Sequence, residues 1–318
     1  MLAENREVFL IKANMEEIII IGSGCAGMGA AIYAARAGAK PLVLEGSRPG
    51  GMLTTTSEVE NYPAFPDGVG GFDLVWKMRE QALKFGAKTE NATVVKVDFS
   101  GDVKKLYGAD GKVFEAKKVI IATGASPRMT GAKGEAELLG TGGVSVCATC
   151  DGAFYKGKDV AVIGGGDTAC EEALFLSRFC SSVKIVHRRD SFRASRVMSD
   201  RVAANPKISV VWNSVLEEVL KNESGRCRGI SVKNTVGGSL SEIPCAGVFI
   251  AIGYVPDTKA FVNAVDTDKD GYIIPYGKTL VQTSVANVYA AGDCTDRIFG
   301  QAITATAMGC MAAILASS

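Results

Sequence analysis

The sequence predicts an α/β protein in which one nucleotide-binding domain is inserted into another. Two glycine-rich turns each lie between a short apolar run, typical of a buried strand, and a helical pattern, which is the plan of a nucleotide-binding βαβ unit. The two stretches are EIIIIGSGCAGMGAAIYAARAGAKPLVLEG and DVAVIGGGDTACEEALFLSRFCSSVKIVHRR. Their similar plan indicates an internal duplication within the 318 residues.

The composition suits two globular domains and argues against several classes of protein. Hydrophobic residues make up 47% and charged residues 22%, so the chain can bury cores and is not intrinsically disordered. The net charge of +1 provides no general attraction for nucleic acid or membranes. Nine cysteines without regular spacing favour a reducing compartment, and the charged N-terminal stretch MLAENREVFLIKAN does not resemble a secretion signal. We therefore expect a cytoplasmic protein.

Each βαβ unit is followed by one more apolar run that predicts a closing strand. KKVIIATGASPR ends its strand at Gly124, and AGVFIAIGYVPDT ends its strand at Gly253. A last strand in TSVANVYAAGD leads to Gly292, and an uncharged segment from about Gln301 predicts a packed C-terminal helix rather than a membrane anchor.

These strands define the predicted domain organisation. If the second unit is a complete domain, the C-terminal segment must rejoin the first domain. We therefore predict two Rossmann-like domains, one formed by residues 1–131 and 256–318 and the other by residues 132–255. The connections near Gly131 and Val255 are the predicted hinges.

The first glycine loop has the pattern of a dinucleotide site. Gly22, Gly24 and Gly27 follow a strand and precede a helix, so they provide a turn, a close approach to a pyrophosphate, and tight packing of helix on strand. Glu45 ends the next strand, 23 residues after Gly22, where an acid binds a ribose hydroxyl. This acid favours a dinucleotide site over an empty tight turn.

The second loop, Gly164-x-Gly166-x-x-Ala169, predicts a different dinucleotide. Its second strand ends in HRRDSFR instead of an acid. Arginine binds phosphate through two parallel hydrogen bonds, whereas a glutamate would repel a 2′-phosphate. We therefore predict NADPH here, the alternative being a solvated basic turn. The predicted cationic cluster comprises His187, Arg188, Arg189 and Arg193.

Two dinucleotide domains in one chain indicate two dinucleotides that exchange electrons. If one is NADPH, the other is expected to be FAD, whose ring accepts a hydride and passes electrons to a disulfide.

Cys147 and Cys150 are separated by two residues, a spacing that serves a zinc site, a structural disulfide or redox chemistry. Zinc needs two further ligands, and the other cysteines form no second pair with such spacing. A disulfide across two residues closes too small a loop to constrain the unfolded chain much. Redox chemistry fits best, with one thiol attacking and the other resolving. Asp151 follows directly and is either a proton donor and acceptor or a solvated capping residue.

The order of these motifs leads to a hypothesis about motion. Cys150 lies 14 residues before Gly164, so the thiol pair and the NADPH loop belong to one predicted domain and the flavin to the other. The thiol pair and the bound NADPH must both reach the same flavin ring. We therefore expect the inserted domain to rotate between two positions during turnover.

From about Glu17 to Ala313, the motifs resemble those of the low-molecular-weight, NADPH-dependent thioredoxin reductases of bacteria, fungi and plants. The similar stretches are GSGCAG, LTTTSEVENYP, IIATGASPR, CATCDG, VIGGGDTACEEALFL, HRRDSFRAS, AIGYVPDT, YAAGD and QAITATAMGCMAA. The resemblance implies that Cys147 attacks the thioredoxin disulfide, that Cys150 faces the flavin, and that Asp151 is the acid/base. It also implies thioredoxin as the protein substrate and a homodimer.

The loops and the resemblance together give the predicted cofactor contacts, and no metal site is predicted. The predicted FAD contacts are Gly22, Ser23, Gly24, Cys25, Ala26, Gly27, Glu45, Gly51, Met52, Leu53, Thr54, Asn61, Val94, Ala122, Thr123, Gly124, Gly292, Asp293, Gln301 and Ala302. The predicted NADPH contacts are Gly164, Gly165, Gly166, Asp167, Thr168, Ala169, His187, Arg188, Arg189, Arg193, Ile252 and Gly253.

The sequence departs from the pattern of these reductases at four positions. Cys25 replaces the usual proline, Met52 replaces a glutamine, Gly300 replaces an arginine, and Ala153 replaces one of two aromatics, of which Phe154 remains. These changes concern flavin tuning and docking of the partner. They do not concern hydride transfer or dithiol chemistry.

Two rival functions use the same features. A dithiol oxidase would pass electrons from a small dithiol through flavin to oxygen, but it needs no NADPH phosphate site, and HRRDSFR argues against it. A flavin-binding sensor or scaffold without turnover would leave the thiol pair and Asp151 beside an NADPH site without a task.

Overall fold

The computed structural model describes residues 15–56, 58–140 and 142–318, so the N-terminal stretch 1–14, in which no secretion signal was expected, lies outside the described residues. Short strands alternate with helices, as expected for an α/β protein. The strands are β1 (Glu16–Ile21), β2 (Leu42–Leu44), β3 (Lys88–Glu90), β4 (Val94–Asp98), β5 (Lys104–Gly108), β6 (Val113–Ile121), β7 (Ala125–Pro127), β8 (Val144–Ser145), β9 (Asp159–Ile163), β10 (Ser182–Val186), β11 (Ile208–Val211), β12 (Ser214–Lys221), β13 (Cys227–Asn234), β14 (Leu240–Pro244), β15 (Gly247–Ile250), β16 (Tyr254–Pro256) and β17 (Val288–Ala290).

A helix follows the strand before each glycine loop, as the sequence predicted, and within the described residues 3-10 helices lie at Gly51–Thr55, Gly152–Tyr155 and Lys259–Phe261. The α-helices are α1 (Cys25–Arg36), α2 (Gly71–Lys84), α3 (Ala148–Asp151), α4 (Asp167–Leu176), α5 (Arg196–Ala203) and α6 (Ala302–Ser317).

Across the described parts of the chain, none of the helices has the length and apolar character needed to cross a membrane.

The chain divides into two compact units. The first unit contains the chain up to Gly51, Val75–Gly124 and Pro256–Ser318, and the second contains Met52–Leu74 and Ala125–Val255. The chain therefore passes between units after Gly51, after Leu74, after Gly124 and after Val255. The predicted domains, 1–131 with 256–318 and 132–255, stay a prediction; they differ from the units in the assignment of Met52–Leu74 and of residues 125–131.

The first unit is organised around a sheet with the strand order β3-β2-β1-β6-β5-β4, and β17 pairs with the C-terminal part of β6. The last four residues of β1, Ile18 to Ile21, are an uninterrupted buried apolar run, as expected for a central parallel strand. Ile21 pairs with Leu44 and with Ile121, and Ile121 pairs with Ala290. The carboxyl ends of β1, β2, β6 and β17 therefore meet at one edge of the sheet.

The two long helices of the first unit pack closely because glycines replace side chains between them. A Cβ at Gly29 of α1 would lie 2.8 Å from the carbonyl oxygen of Thr306 in α6. A Cβ at Gly309 of α6 would overlap the carbonyl oxygen of Ala26 in α1. This packing brings Thr306 and Gly309 of α6 against Ala26 and Gly29 of α1.

The second unit repeats the arrangement with a parallel sheet in the order β11-β10-β9-β15-β8, next to an antiparallel sheet, β12-β13-β14. Ile163 pairs with Val186 and with Ile250, and Phe249 pairs with Ser145. The glycine loop after β9 and the cysteine pair after β8 therefore leave the same edge of one sheet.

Candidate active site

The glycine loop after β1 has the geometry of a pyrophosphate site. Gly22 has a φ of +105°, and a Cβ there would overlap the carbonyl oxygen of Ala122. A Cβ at Gly27 would overlap the carbonyl oxygen of Gly22, so helix and strand pack without a side chain between them. A Cβ at Gly24 would meet only the carbonyl oxygen of Gly50, at 3.9 Å. The second glycine therefore faces open space beside the first turn of α1, where the N–H groups favour an anion.

Two buried polar atoms at the same sheet edge have no hydrogen-bond partner among the described residues. Thr123 Oγ1 and Asp293 Oδ1 are buried and accept or donate no hydrogen bond within the described residues. Burial, and next the Asp296 carboxylate, raise the pKa of Asp293 to about 6. Because unpartnered buried polar atoms are costly, these atoms fit a ligand that brings its own hydroxyl and amide groups, as FAD does.

Glu45 is held by an arginine that the sequence analysis did not single out. The buried Glu45 carboxylate forms an ion pair with Arg79 on α2, with 2.7 Å between Oε1 and Nε. Arg79 also donates a hydrogen bond to Thr89 Oγ1 at 2.7 Å. The two residues are 34 positions apart, and no spacing rule connects them. Arg79 thus fixes the carboxylate that is predicted to bind the ribose.

The other predicted FAD contacts of the first unit lie on the same elements. Ser23 Oγ donates to the Glu45 carbonyl oxygen and accepts the N–H of Gly50. Gly292 comes so close to α1 that a Cβ would lie 2.9 Å from the Ala26 Cβ. Gln301 forms a capping box at the start of α6. The remaining predicted contacts in this unit are Cys25, the first residue of α1; Gly51, at the start of a 3-10 helix; Val94, the first residue of β4; Gly124, directly after Thr123; and Ala302, the first residue of α6.

Some predicted FAD contacts lie in the second unit. Met52, Leu53 and Thr54 belong to the 3-10 helix Gly51–Thr55, and Asn61 lies in the loop that follows. Their contact with FAD stays a prediction.

The departure at Cys25 leaves a thiol at the first position of α1. Burial raises the pKa of the Cys25 thiol to about 12, and the Asp293 carboxylate adds to the shift. The side chain is therefore a small buried hydrophobic group rather than a second reactive thiol.

The glycine loop after β9 has the corresponding geometry. Gly164 has a φ of +153°, and a Cβ there would overlap the carbonyl oxygen of Ala251. A Cβ at Gly166 would meet only Arg193 Nη2, at 3.7 Å. Helix α4 starts at Asp167, and Thr168 and Ala169 complete its first turn. The second glycine again faces open space, here in front of an arginine. Ile252 and Gly253, the remaining predicted contacts, follow β15 at this sheet edge.

The four basic residues predicted to form one cationic cluster have different surroundings. His187 is buried; its ring contacts the backbone of Gly165, and it stacks on Phe192 with ring centroids 6.1 Å apart. Burial lowers the pKa of His187, and the nearby arginines lower it further, so the ring is neutral at physiological pH. The structure thus places His187 beneath the loop as a neutral support.

The three arginines of this region are exposed. Within the described parts of the chain, their guanidinium groups form no ion pair. A guanidinium group without an ion pair suits a phosphate, and that of Arg193 lies beside Gly166, directly before α4. The positive charge at this position therefore comes from Arg188, Arg189 and Arg193.

Cys147 and Cys150 form a disulfide directly after β8, with their Cα atoms 5.4 Å apart. Ser145, the last residue of β8, orients the pair: its Oγ accepts the N–H of Cys147 at 3.0 Å and donates to the Cys147 carbonyl oxygen at 3.2 Å. Tyr254 donates its hydroxyl proton to the carbonyl oxygen of Val146 at 2.5 Å. Ser145 and Tyr254 are positioning residues that sequence spacing did not reveal.

Two carboxyl groups near the disulfide hold protons more tightly than usual. Burial raises the pKa of Asp151, although a hydrogen bond with Ser145 opposes the shift. Burial also raises the pKa of Glu172 on α4 to about 8. The Glu172 carboxyl hydrogen-bonds the backbone of Ala148, between the cysteines, and its Oε2 is buried without a partner among the described residues. A protonated carboxyl group thus lies against the segment between Cys147 and Cys150. Because Glu172 is distant from this segment in the sequence, only the folded structure shows the contact.

The described parts of the chain contain no group of three or more histidine, cysteine, aspartate or glutamate side chains that could hold a metal ion.

Comparison with known proteins assigns the fold and the site to a family. Residues 16–309 match the model of the pyridine nucleotide-disulphide oxidoreductases. A thioredoxin reductase from Streptomyces coelicolor is 48% identical over 303 residues, which cover 95% of this chain and 93% of that protein. A bifunctional thioredoxin reductase/thioredoxin from Mycobacterium leprae is 49% identical over 300 residues; the match covers 94% of this chain but 65% of that longer protein.

A solved structure agrees with these relatives. The crystal structure of thioredoxin reductase from Streptococcus pyogenes superposes with a TM-score of 0.88 at 38% identity, covering 95% of this chain and 97% of that one. The chain therefore belongs to the pyridine nucleotide-disulphide oxidoreductase family and, within it, to the low-molecular-weight thioredoxin reductases.

Proposed function

We propose that this protein is an NADPH-dependent thioredoxin-disulfide reductase. The observation that carries the proposal is the Cys147–Cys150 disulfide at the sheet edge that also presents the Gly164 loop and its unpaired arginines. The reaction converts NADPH, a proton and oxidised thioredoxin into NADP⁺ and reduced thioredoxin.

FAD and NADPH are the cofactors of the family, and the residues fit both. When bound, FAD would supply the two-electron chemistry that connects NADPH with the disulfide. Gly22, Gly24 and Asp293 would hold FAD, together with Glu45 fixed by Arg79. The second loop and its arginines would hold NADPH.

The protein's own residues then carry out dithiol exchange. Once the disulfide is reduced, Cys147 attacks the thioredoxin disulfide, forming a mixed disulfide and releasing one thioredoxin thiolate. Cys150 attacks Cys147, re-forms the protein disulfide and releases the second thiolate. Asp151 supplies the proton that a leaving thiolate takes up, and burial, which raises its pKa, favours its protonated form compared with an ordinary aspartate.

The substrate surface and the setting of the reaction are also part of the proposal. Phe154, in the 3-10 helix after the cysteines, is exposed and offers an apolar contact for thioredoxin. The related bifunctional protein is named for both activities, which supports thioredoxin as the partner. We infer a homodimer in the cytoplasm, without a nucleic-acid or membrane partner, in line with the resemblance and the composition.

Replacement of Cys147 tests the proposed electron exit. In Cys147→Ser, NADPH should still bleach the flavin absorption, but thioredoxin reduction should stop, because the thiol that attacks the substrate is gone and Cys150 has no partner with which to re-form the protein disulfide. The controls are Cys227→Ser and Cys245→Ser, which should keep their turnover. Residual thioredoxin turnover above a few per cent of wild type in Cys147→Ser would refute the assignment.

A further inference from the structure

Two buried cysteines outside the active site form a pair in space although 18 positions separate them in the sequence. Cys227 starts β13, and Cys245 directly follows β14, its antiparallel neighbour. Cys227 Sγ lies 3.6 Å from the carbonyl oxygen of Cys245, and the two thiols share a hydrogen bond. Both belong to the same apolar core cluster and are 7% and 6% exposed. Sequence spacing gave no sign of this pair.

The two thiols differ in how readily they lose a proton. The pKa of Cys227 is lowered, mainly because the hydrogen bond with Cys245 stabilises its thiolate. The same hydrogen bond, together with burial, raises the pKa of Cys245. Of the two thiols, Cys227 therefore loses its proton more readily. A thiolate with a neighbouring thiol has the chemistry of a peroxide-reactive pair.

Cys227 also contacts the strand that leads into the active-site cysteines. Its backbone N–H donates to the carbonyl oxygen of Gly142 at 2.8 Å. Gly143 is buried with a φ of +109°, and a Cβ there would lie 2.6 Å from the Cys227 Cβ. β8 then runs from Val144 to Ser145, whose hydroxyl holds both backbone groups of Cys147. A displacement of Cys227 is therefore transmitted to Cys147 through Gly143, Val144 and Ser145.

We propose that Cys227 and Cys245 are a second redox pair, which hydrogen peroxide closes to a disulfide and which thereby slows the active-site cysteines. The Cys227 thiolate attacks peroxide, so that a sulfur–oxygen bond forms, the oxygen–oxygen bond breaks, and hydroxide leaves. The Cys245 thiol then attacks the sulfenic acid, a sulfur–sulfur bond forms, and water leaves. Two thiols are oxidised and one peroxide is reduced. Closing the bond draws Cys227 toward Cys245 and away from its contact with Gly143.

The chemical step is tested on the oxidised holoenzyme without NADPH, in which Cys147 and Cys150 are already a disulfide. After treatment with hydrogen peroxide and then catalase, the unfolded protein is alkylated and digested. Mass spectrometry should find a cross-link between the peptides that carry Cys227 and Cys245, with free thiols falling from seven to five. Equal alkylation of Cys227, Cys245 and the buried Cys180, before and after peroxide, would overturn the proposal.

Single variants separate the two steps of this reaction. Cys245→Ser should stop at a sulfenic acid on Cys227 that dimedone traps, whereas Cys227→Ser should leave Cys245 unoxidised. Cys180→Ser is the matched control because it removes a buried thiol of the same unit, whose pKa burial raises to about 11, and it should still form the cross-link. Trapping at Cys245 in place of Cys227 would contradict the order of attack.

The effect on the active site is a second measurement, and it rests on the proposed function. Peroxide-treated wild type should reduce thioredoxin at a several-fold lower initial rate, and dithiothreitol should restore the rate. Cys245→Ser should keep its rate under the same treatment. Unchanged turnover in fully cross-linked enzyme would overturn the link to Cys147, while loss of turnover already in the untreated wild type would point to the proposed function instead.

Discussion

At the scale of single residues, four basic side chains follow β10, and their surroundings give them two roles. His187 is buried and neutral beneath Gly165. The three arginines are exposed and form no ion pair within the described residues. An unpaired guanidinium at a helix N-terminus is ready to bind phosphate, because no internal partner must first be displaced. The positive charge that we predict to select NADPH therefore comes from Arg188, Arg189 and Arg193 and not from His187.

Replacing Arg188 and Arg189 with alanine tests this role. Each lost charge-assisted hydrogen bond should cost roughly 1.5–3 kcal/mol, or about tenfold to over a hundredfold in affinity. Steady-state kinetics should show a much higher KM for NADPH and a nearly unchanged KM for NADH, which lacks the 2′-phosphate. An equal rise for both cofactors would mean that the arginines bind another group or maintain the fold.

Glu172 should make stability depend on pH. Its pKa is about 8 in the folded protein, against an ordinary value of 4.5, so the folded state holds a proton that the unfolded state releases between these pH values. The free energy of unfolding should therefore fall as pH rises from about 5 to 8, by an amount on the order of a few kcal/mol. Glu172→Gln should remove this part of the decline.

Denaturant titrations of the holoenzyme at several pH values measure the difference between wild type and Glu172→Gln. The exposed Glu223→Gln serves as the control and should follow wild type. A constant difference between wild type and Glu172→Gln across this pH range would contradict the assigned burial of the carboxyl group.

At the scale of elements, α1 and α4 both begin directly after the second glycine of a glycine loop. The two other glycines of the first loop allow backbone contacts, whereas Gly24 leaves space in front of the helix. Alanine substitutions at Gly24 and at Gly27 should therefore impair the protein for different reasons.

Gly24→Ala and Gly27→Ala form a matched pair. The new methyl group at Gly24 fits the protein but occupies the predicted pyrophosphate space, so the flavin content per chain should fall while the fold is retained. At Gly27 the methyl group overlaps the Gly22 carbonyl oxygen, so helix and strand must separate and the apparent Tm should fall as well. Flavin absorbance and thermal unfolding distinguish the two outcomes; full flavin occupancy in Gly24→Ala would refute the loop assignment.

At the scale of the whole molecule, the order of motifs leads to the hypothesis that the two units move during turnover. The cysteine pair and the Gly164 loop belong to one compact unit, and the Gly22 loop belongs to the other. Both must exchange electrons with one flavin, so we propose that the units rotate between the two half-reactions. Domain motions on the microsecond-to-millisecond scale are fast enough for this.

An engineered cross-link that holds Cys150 against the flavin tests the rotation. The locked protein should lose flavin bleaching by NADPH, because NADPH cannot reach the ring. Exchange between a reduced dithiol and the flavin should continue, which serves as the internal control. Normal bleaching by NADPH in the locked protein would show that no rotation is needed.

Local patterns in the sequence were sufficient for much of this description. The α/β class, both glycine loops and the sheet-end positions of Glu45 and Asp293 follow from short-range rules, because a strand, a turn and a helix are consecutive in the chain. The cysteine pair is equally local, and the structure joins it in a disulfide. The thioredoxin reductase family was also predicted correctly from these motifs, as the relatives confirm.

The sequence alone therefore determined the type of each βαβ unit and the chemistry of the motifs, since these depend on neighbouring residues. Only the tertiary structure decided which distant groups meet. Arg79 on Glu45, Glu172 against Ala148, and Cys227 beside Cys245 each join residues that lie between 18 and 34 positions apart. The neutral state of His187 likewise depends on burial among groups from several elements. Such contacts and pKa shifts arise from packing and desolvation, which belong to the folded chain and not to any stretch of its sequence.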